Sequence, residues 1–503
     1  MPRGIDFKGA LKRIEFFEKS VDVTKIKYEG VTIWPLMRSH VVRFWLAGGH
    51  QNSVQGEKTK QQPKRKLSNT LRLWIKMKER AKHLVARCHL IYSGRNKIWF
   101  IPGPLGHAEF SQQGYYDKFV DAVSFVTKRE DFFKLLLHGD ERRHHYAMPA
   151  YNYSLRHLIY RASCDMSKIP FKLNDFEDGY KVEALLPYGK EDVIKALSTD
   201  LIHLMTFAND FTIVLRKAKP KAIFIVCYES IISMAMILAA RRVGVPVIDV
   251  QHGKQGKYNV NYTHFTHLPK NGWDLLPNYF WCWGEQSAKN ISRHMPASRT
   301  THFPYVIGYL WVALWKNGEP IKITEKHQVF IEELKVIQKK ILVTLQPLSD
   351  PLPEILLRTM ENSPPDWLWL IRMHPNMLLD CNQVINRLDE VAKGKFEVTI
   401  SSEIPLYPLL KAVDHHVTAW SSVAYEALEF GVSTTIIDET GLDLYSNEIE
   451  NQLFLYADTK QQLLNTIEQL TIKKSIISNG YIKSNLSEVT SSLERFITKI
   501  LDK

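Results

Sequence analysis

Three short segments carry side chains that can handle a phosphate. Arg372, His374 and Pro375 stand in RMHPN, directly behind the apolar run WLWLI. A histidine at the carboxyl end of a parallel strand faces the crevice where open α/β sheets bind ligands. There an imidazole, cationic or hydrogen-bonding, stabilises a departing phosphate; the same ring can equally be satisfied by a loop carbonyl. Ser421 and Ser422 open the segment SSVAYEALEFG. The pattern predicts a strand ending around Ala419 and a helix starting near Ser421, whose unpaired N–H groups attract an anion. The two hydroxyls add donors, and Glu426 sits about one turn further on. Ser421 serving only as an N-cap is the alternative. In the third segment, IDVQHGKQGK, residues Gln251, His252, Gly253 and Lys254 follow another apolar run. Gly253 lets the backbone approach a ligand closely, and Lys254 and Lys257 present positive charge.

Two carboxylates lie in the same neighbourhood. Glu229 follows the run AIFIVCY, and Asp249 belongs to VPVIDV. From position alone both are candidates for a catalytic base. A helix-start Glu favoured by the helix dipole explains Glu229 as well. Other chemistries lack their residues. No two Asp are separated by one residue, so a metal-binding DxD is missing. His144/His145 and His415/His416 are adjacent pairs whose members point to opposite faces of a strand. GxSxG, HExxH and GxGxxG are absent, and GKQGK lacks the P-loop spacing. No metal or cofactor is expected.

These segments need elements to hold them. KIWFIPGP reads as a buried strand entering a loop. AIFIV, the helix of SIISMAMILAARRVG ending at Gly244, and VPVIDV form a βαβ unit, which implies a parallel sheet. PNYFWCWGEQSAKNI and FPYVIGY extend it. From Lys340 a second series begins: KKILVTLQPL, LPEILLRTMENSP and WLWLIRMHPN, then strands and helices up to TTIID, with helices closing the chain. Residues 111–215 read as helical patterns alternating with polar loops. The fold class is therefore α/β, with an N-terminal, mostly helical extension over 1–95, a Rossmann-like domain over 96–320 and a second over 321–503.

The 503 residues are 45% hydrophobic and 24% charged, a globular composition. Five scattered cysteines with no CxxC fit a reducing compartment. No apolar run is long enough to span a bilayer, and the charged first residues lack a signal core, so a cytoplasmic location is expected. Of the net charge of +13, nearly all falls between Lys58 and Lys97, where thirteen Lys/Arg face Glu79 alone. That stretch begins as a polar linker within residues 51–70, expected to be mobile, and continues as a helix with Leu71, Trp74, Met77 and Ala81 near one face. A basic helix with an apolar stripe can lie on an anionic inner-membrane surface or simply pack on its own domain. No nucleic-acid module is recognisable, and no nucleic acid is expected as a partner.

The blocks AARRVGVPVIDVQHG, PNYFWCWGE, VIGY, ILVTLQPL, IRMHPN and TAWSSVAYEALEFGV occur in the order found in bacterial GT-B glycosyltransferases that build surface polysaccharides, over roughly residues 220–440. The chain resembles capsule-synthesis proteins including Kdo transferases, and bacterial sialyltransferases with a His-Pro and a Ser-Ser motif. It is similar in part to CDP-glycerol glycerophosphotransferases. The segment YEGVTIWPLMR also looks like the start of surface-polysaccharide proteins. The resemblance implies two Rossmann-like domains facing a central cleft and a nucleotide-activated sugar as donor. It implies that His374, Ser421 and Ser422 hold the nucleotide phosphate, with Pro375 shaping the loop. A glycan or lipid-linked glycan would be the acceptor, met by the first domain, which would supply the carboxylate.

Overall fold

The computed structural model describes residues 7–46, 69–103, 108–127, 130–138, 146–165, 185, 190–256, 258–295, 301–348, 350–375, 377, 381–469 and 480–502. The expected linker over residues 51–70 lies almost entirely outside them, as do Lys257 and the pair His144/His145.

Two parallel sheets organise the chain. The first has seven strands: β1 Ile98–Ile101, β2 Phe132–His138, β3 Tyr151–Ser154, β4 Ala222–Val226, β5 Val247–Val250, β6 Tyr279–Cys282 and β7 Phe303–Val306, in spatial order β7-β6-β5-β4-β1-β2-β3. The second has six: β8 Lys339–Thr344, β9 Trp367–Arg372, β10 Phe396–Glu397, β11 His415–Thr418, β12 Ser433–Ile436 and β13 Leu455–Tyr456, in order β10-β9-β8-β11-β12-β13. All neighbouring pairs in both are parallel. Strands such as AIFIV and VIDV are buried at every position, as a sheet covered by helices on both faces requires. The βαβ unit forms as its sequence demands. Ser230 caps the helix Ile231–Val243 by accepting the Ser233 N–H, and Gly244 ends it at φ +75°, a left-handed conformation open to glycine at no steric cost.

Strands β2 and β3 fall where the pattern gave helices and polar loops. The run FFKLLLH is followed by Gly139-Asp140, but a short apolar run interrupted by a lysine cannot be told from a buried helix by periodicity. A hairpin, Ala108–Ser111 with Gly114–Asp117, lies in the same region.

The N-terminal extension is tied to the first body by buried charge. Helices Phe7–Ser20 and Trp34–Leu46 flank a short hairpin. Glu18 accepts from the Trp34 indole at 2.8 Å and from the Thr266 N–H and hydroxyl at 2.7 and 2.9 Å. Arg38, fully buried, lies 3.4 Å from Glu18, donates to the Thr263 and His264 carbonyls, and stands over the Phe265 ring. A buried pair keeps its charge only with such hydrogen bonds around it.

The last helix, Leu486–Leu501, does not stay with the second body, where the sequence division at 321–503 put it. It lies against the first sheet, with Phe496 packed on Tyr279 and Tyr305. Ahead of it, Lys483 accepts from the Tyr309 N–H and donates to the Trp283 carbonyl. A side-chain carbon at Gly284 would stand 2.4 Å from the Gly480 carbonyl oxygen, so this crossing needs a glycine beneath it. One apolar core runs through both bodies, joining Trp281, Trp311 and Phe496 to Tyr407, Tyr425 and Leu428.

Candidate active site

Residues behind β5 and β6 of the first body meet Tyr425, Leu444 and Glu448 of the second around one small pocket. On the first body's side, Gln251 follows β5 and is almost fully buried. Its Oε1 accepts the Trp283 N–H at 2.7 Å, and its amide nitrogen donates to the Gly253 carbonyl and the Ser287 hydroxyl. The side chain thus locks its own loop to the loop after β6. His252 is neutral at physiological pH, since burial and the nearby Lys118 charge lower its pKa to about 4. A side-chain carbon on Gly253 would meet nothing within 4 Å. Packing does not demand that glycine, and the space before it is open.

Lys254 crosses the cleft. Its ammonium donates to the Leu444 carbonyl, stands 3.6 Å from the centre of the Tyr445 ring and 3.9 Å from Glu448. Gln251, Lys254, Trp283, Tyr425 and Glu448 line a pocket of about 40 Å³ behind this contact. Trp283 and Tyr309 stack at 4.1 Å between ring centres.

The candidate carboxylates differ sharply. Glu229 is partly exposed just ahead of the capped helix, and its Oε2 accepts from Asn261 at 2.5 Å. Asn261 in turn accepts the Ser39 hydroxyl at 2.5 Å, so the N-terminal extension reaches this carboxylate through one intermediary. Asp249 is fully buried, accepting the Tyr228 N–H at 3.0 Å and the Tyr262 hydroxyl at 2.9 Å. Burial drives its pKa well above the usual carboxylate range. That geometry gives Asp249 a positioning role, with no open side from which to take a substrate proton.

On the second body's side, Arg372 ends β9 and donates to the Ser401 and Ile404 carbonyls at 2.8 and 2.6 Å. Burial lowers its pKa, opposed by the charges of Glu109 and Glu426. His374 follows two residues later, half-buried, with its pKa lowered by burial. Pro375 is exposed. The strand before the serine pair ends at Thr418, and the helix begins at Val423. Ser421 Oγ accepts the Val423 N–H at 3.3 Å, and its carbonyl takes the Tyr445 hydroxyl. Ser422 occupies the cap position without a side-chain cap bond. Beneath this loop, a side-chain carbon at Gly441 would stand 2.0 Å from the Ala419 carbonyl oxygen. His415 and His416 are buried and bonded to threonines of neighbouring strands.

Glu426 is buried at the boundary. Its Oε1 accepts from Tyr407 at 2.6 Å and Tyr309 at 3.2 Å, with Lys118 at 3.9 Å. Glu109, held by the Trp311 indole at 2.9 Å, completes a buried set of two acids and two bases with Lys118 and Arg372. Burial raises the pKa of Glu109, and Lys118, Trp311 and Arg372 pull it back. Sequence reasoning missed Glu109, Lys118 and Tyr407. Tyr309, the last residue of the VIGY block, had a signal in its position behind a strand and Gly308. Sequence reasoning also passed over Glu177-Asp178-Gly179, the one place where two acids precede a glycine. That is the acidic pattern typical of the sialyltransferases named above, and it lies outside the described residues. Among the described residues no group of three or more His, Cys, Asp or Glu is placed to hold a metal ion.

No protein-family model and no curated protein matches the chain. Solved structures do. A UDP-N-acetylglucosamine 2-epimerase superposes with a TM-score of 0.52 at 12% identity, covering 81% of this chain and 97% of its own. The UDP-GlcNAc 2-epimerase of Methanocaldococcus jannaschii does so at 0.50 and 13% identity, covering 80% and 99%. The wall teichoic acid polymerase TagF matches with a TM-score of 0.44 at 11% identity, over 86% of this chain and 99% of its own. The fold is GT-B-like. At such identities the likeness extends to the fold alone.

Proposed function

We propose that this chain is a glycosyltransferase that moves a sugar from a nucleotide donor to a surface-polysaccharide acceptor. The favoured donor is a CMP-sugar of the Kdo or sialic-acid kind. The observation that supports the reading is the placement of His374 and the Ser421–Ser422 segment directly behind the carboxyl ends of β9 and β11, the two strands that flank β8 in the second sheet.

In this reading the phosphate sits against His374 and the Ser421–Ser422 segment, with Arg372 and Glu426 behind them. His374 donates one N–H to the oxygen on which charge develops as the sugar leaves. Glu229, aligned by Asn261, takes the proton of the acceptor hydroxyl as general base, or attacks the sugar itself if configuration is retained. Glu177 and Asp178 are the competing carboxylates, on the strength of their sequence pattern. Gln251 and Asp249 keep the loops in register without touching substrate. His252, Gly253 and Lys254 border the sugar and acceptor space. The acceptor is a lipid-linked or growing glycan.

A competing donor is a UDP-sugar, because the epimerases that share the fold carry UDP-GlcNAc in their names. Thermal unfolding with CMP, CDP, UDP, GDP and ADP separates these, since a ligand of the folded state raises the melting temperature by mass action. The expected result is a rise with CMP that disappears in His374→Ala, while that variant, at a half-buried position, still unfolds cooperatively with an unliganded melting temperature lowered by no more than the effect of about 1 kcal/mol typical of single substitutions. A rise with UDP alone discards the cytidine donor. A CMP response unchanged in His374→Ala removes the histidine from the site.

A further inference from the structure

The helix Asn69–Ser93 meets the protein through a mixed face, with Leu90 in the core, Ala86 and Ile91 packed against it, and a set of buried polar groups beside them. His83 and Arg87 each lie 3.2 Å from Asp210 Oδ1, and Tyr153 donates to Oδ2 at 2.6 Å. Burial alone would raise the Asp210 pKa, but the His83, Tyr153 and Arg87 contacts outweigh it and hold the carboxylate ionised. These buried bonds fix which side of the helix faces the protein.

The outward side is apolar. Trp74, Met77, Ala81, Val85, Cys88 and Tyr92 follow one another at spacings of three or four residues, which places them in a single stripe. Trp74 is 57%, Met77 64%, Val85 70% and Tyr92 83% exposed. An apolar stripe of that length, about 27 Å at 1.5 Å per residue, is uncommon on an isolated soluble surface. Its borders are cationic: Lys78, Arg80 and Lys82 are exposed, and Lys78 Nζ lies 4.9 Å from the centre of the Trp74 ring. Glu79, the single acid of the segment, is already paired with Lys82 at 2.9 Å. The adjoining helix Arg156–Asp165 also exposes Tyr160, Arg156 and Arg161.

We infer that this stripe is a docking face for an anionic lipid surface, with the helix lying in the plane of the membrane. Apolar side chains enter the acyl boundary while lysines and arginines reach the headgroups. Charge decides against a second copy of the chain as the occupant, because two such faces would set like charges against each other. No described helix is long and apolar enough to cross a membrane, so the contact is peripheral. The inference does not depend on the transferase reading, since these residues lie outside the cleft.

Co-sedimentation with vesicles tests it. The full chain should pellet with vesicles of equal parts phosphatidylcholine and phosphatidylglycerol, not with phosphatidylcholine alone, and high salt should weaken the binding. Val85→Glu combined with Tyr92→Glu replaces two outward apolar groups and should lower vesicle affinity by roughly tenfold or more. Both positions are exposed, so melting temperature and any nucleotide response should stay unchanged. Lys78→Glu with Lys82→Glu should reduce binding as well. Equal pelleting of wild type and the Val85/Tyr92 variant overturns the inference, as does loss of binding through the lysines alone. A concentration-dependent dimer abolished by the Val85/Tyr92 changes overturns it in favour of self-association.

Discussion

Asp249 and Glu426 make an instructive pair. Each is a buried carboxylate near the carboxyl end of a parallel sheet, and each receives two hydrogen bonds. Asp249 is satisfied wholly within the first body, by Tyr228 and Tyr262. Glu426 is satisfied across the boundary, by Tyr407 of its own body and by Tyr309 and Lys118 from the other side. The first carboxylate therefore serves the fold of one body, whereas the second registers how the two bodies sit together. A movement of one body against the other leaves Asp249 untouched and breaks half of what holds Glu426.

That contrast is open to breakage. Glu426→Ala should have the largest effect, about 3–4 kcal/mol, because it leaves Lys118 and Arg372 facing Glu109 alone and strips two tyrosine hydroxyls. Urea unfolding measures the loss, and small-angle scattering should show a wider, more variable arrangement of the bodies. Glu426→Gln, which can still accept both hydroxyls, should recover part of it. Asp249→Ala should cost less, about 2–3 kcal/mol, from an N–H and a hydroxyl left without their acceptor. Hydrogen exchange should rise around Tyr228 and Tyr262 with no change in scattering. If Asp249→Ala loosens the bodies and Glu426→Ala does not, the contrast is reversed.

A third outcome concerns pH. Asp117 precedes Lys118 and accepts the Phe119 and Val120 N–H groups. Burial, reinforced by Asp121, raises its pKa from 3.8 to about 7. A raised folded pKa contributes stability that is complete below the unfolded value and is lost as pH climbs through the folded one. Melting temperature should therefore fall between pH 4 and about 7, and Asp117→Asn should flatten that stretch. The smallest effect belongs to Lys254→Ala. Removing a cation over the Tyr445 ring should cost about 1 kcal/mol, read as a modest fall in melting temperature.

The second sheet and the β4–β7 half of the first were legible because buried parallel strands are continuous apolar runs punctuated by Gly and Pro. AIFIV, VIDV and KKILVT leave little choice. The β2–β3 half was not legible. FFKLLLH contains a lysine whose burial makes sense only beside Asp121, at 2.7 Å, and that partner lies on a different element. The site divides the same way. The placement of His374 and the serine pair behind β9 and β11 was legible. Gln251 is expected to border the cleft and Asp249 to be a catalytic carboxylate, yet their side chains are turned into the first body by partners 13 to 36 residues away. Glu109 and Lys118 gave no local signal, since their meaning depends on residues two to three hundred positions distant.

The return of the last helix to the first sheet bears on how the chain is made. The strands of the second sheet all lie in sequence between parts of the first body, which resumes with the helix Leu486–Leu501 on Tyr279 and Tyr305. The first body is therefore completed only by residues that follow the second, so its sheet cannot be fully covered until both have been synthesised.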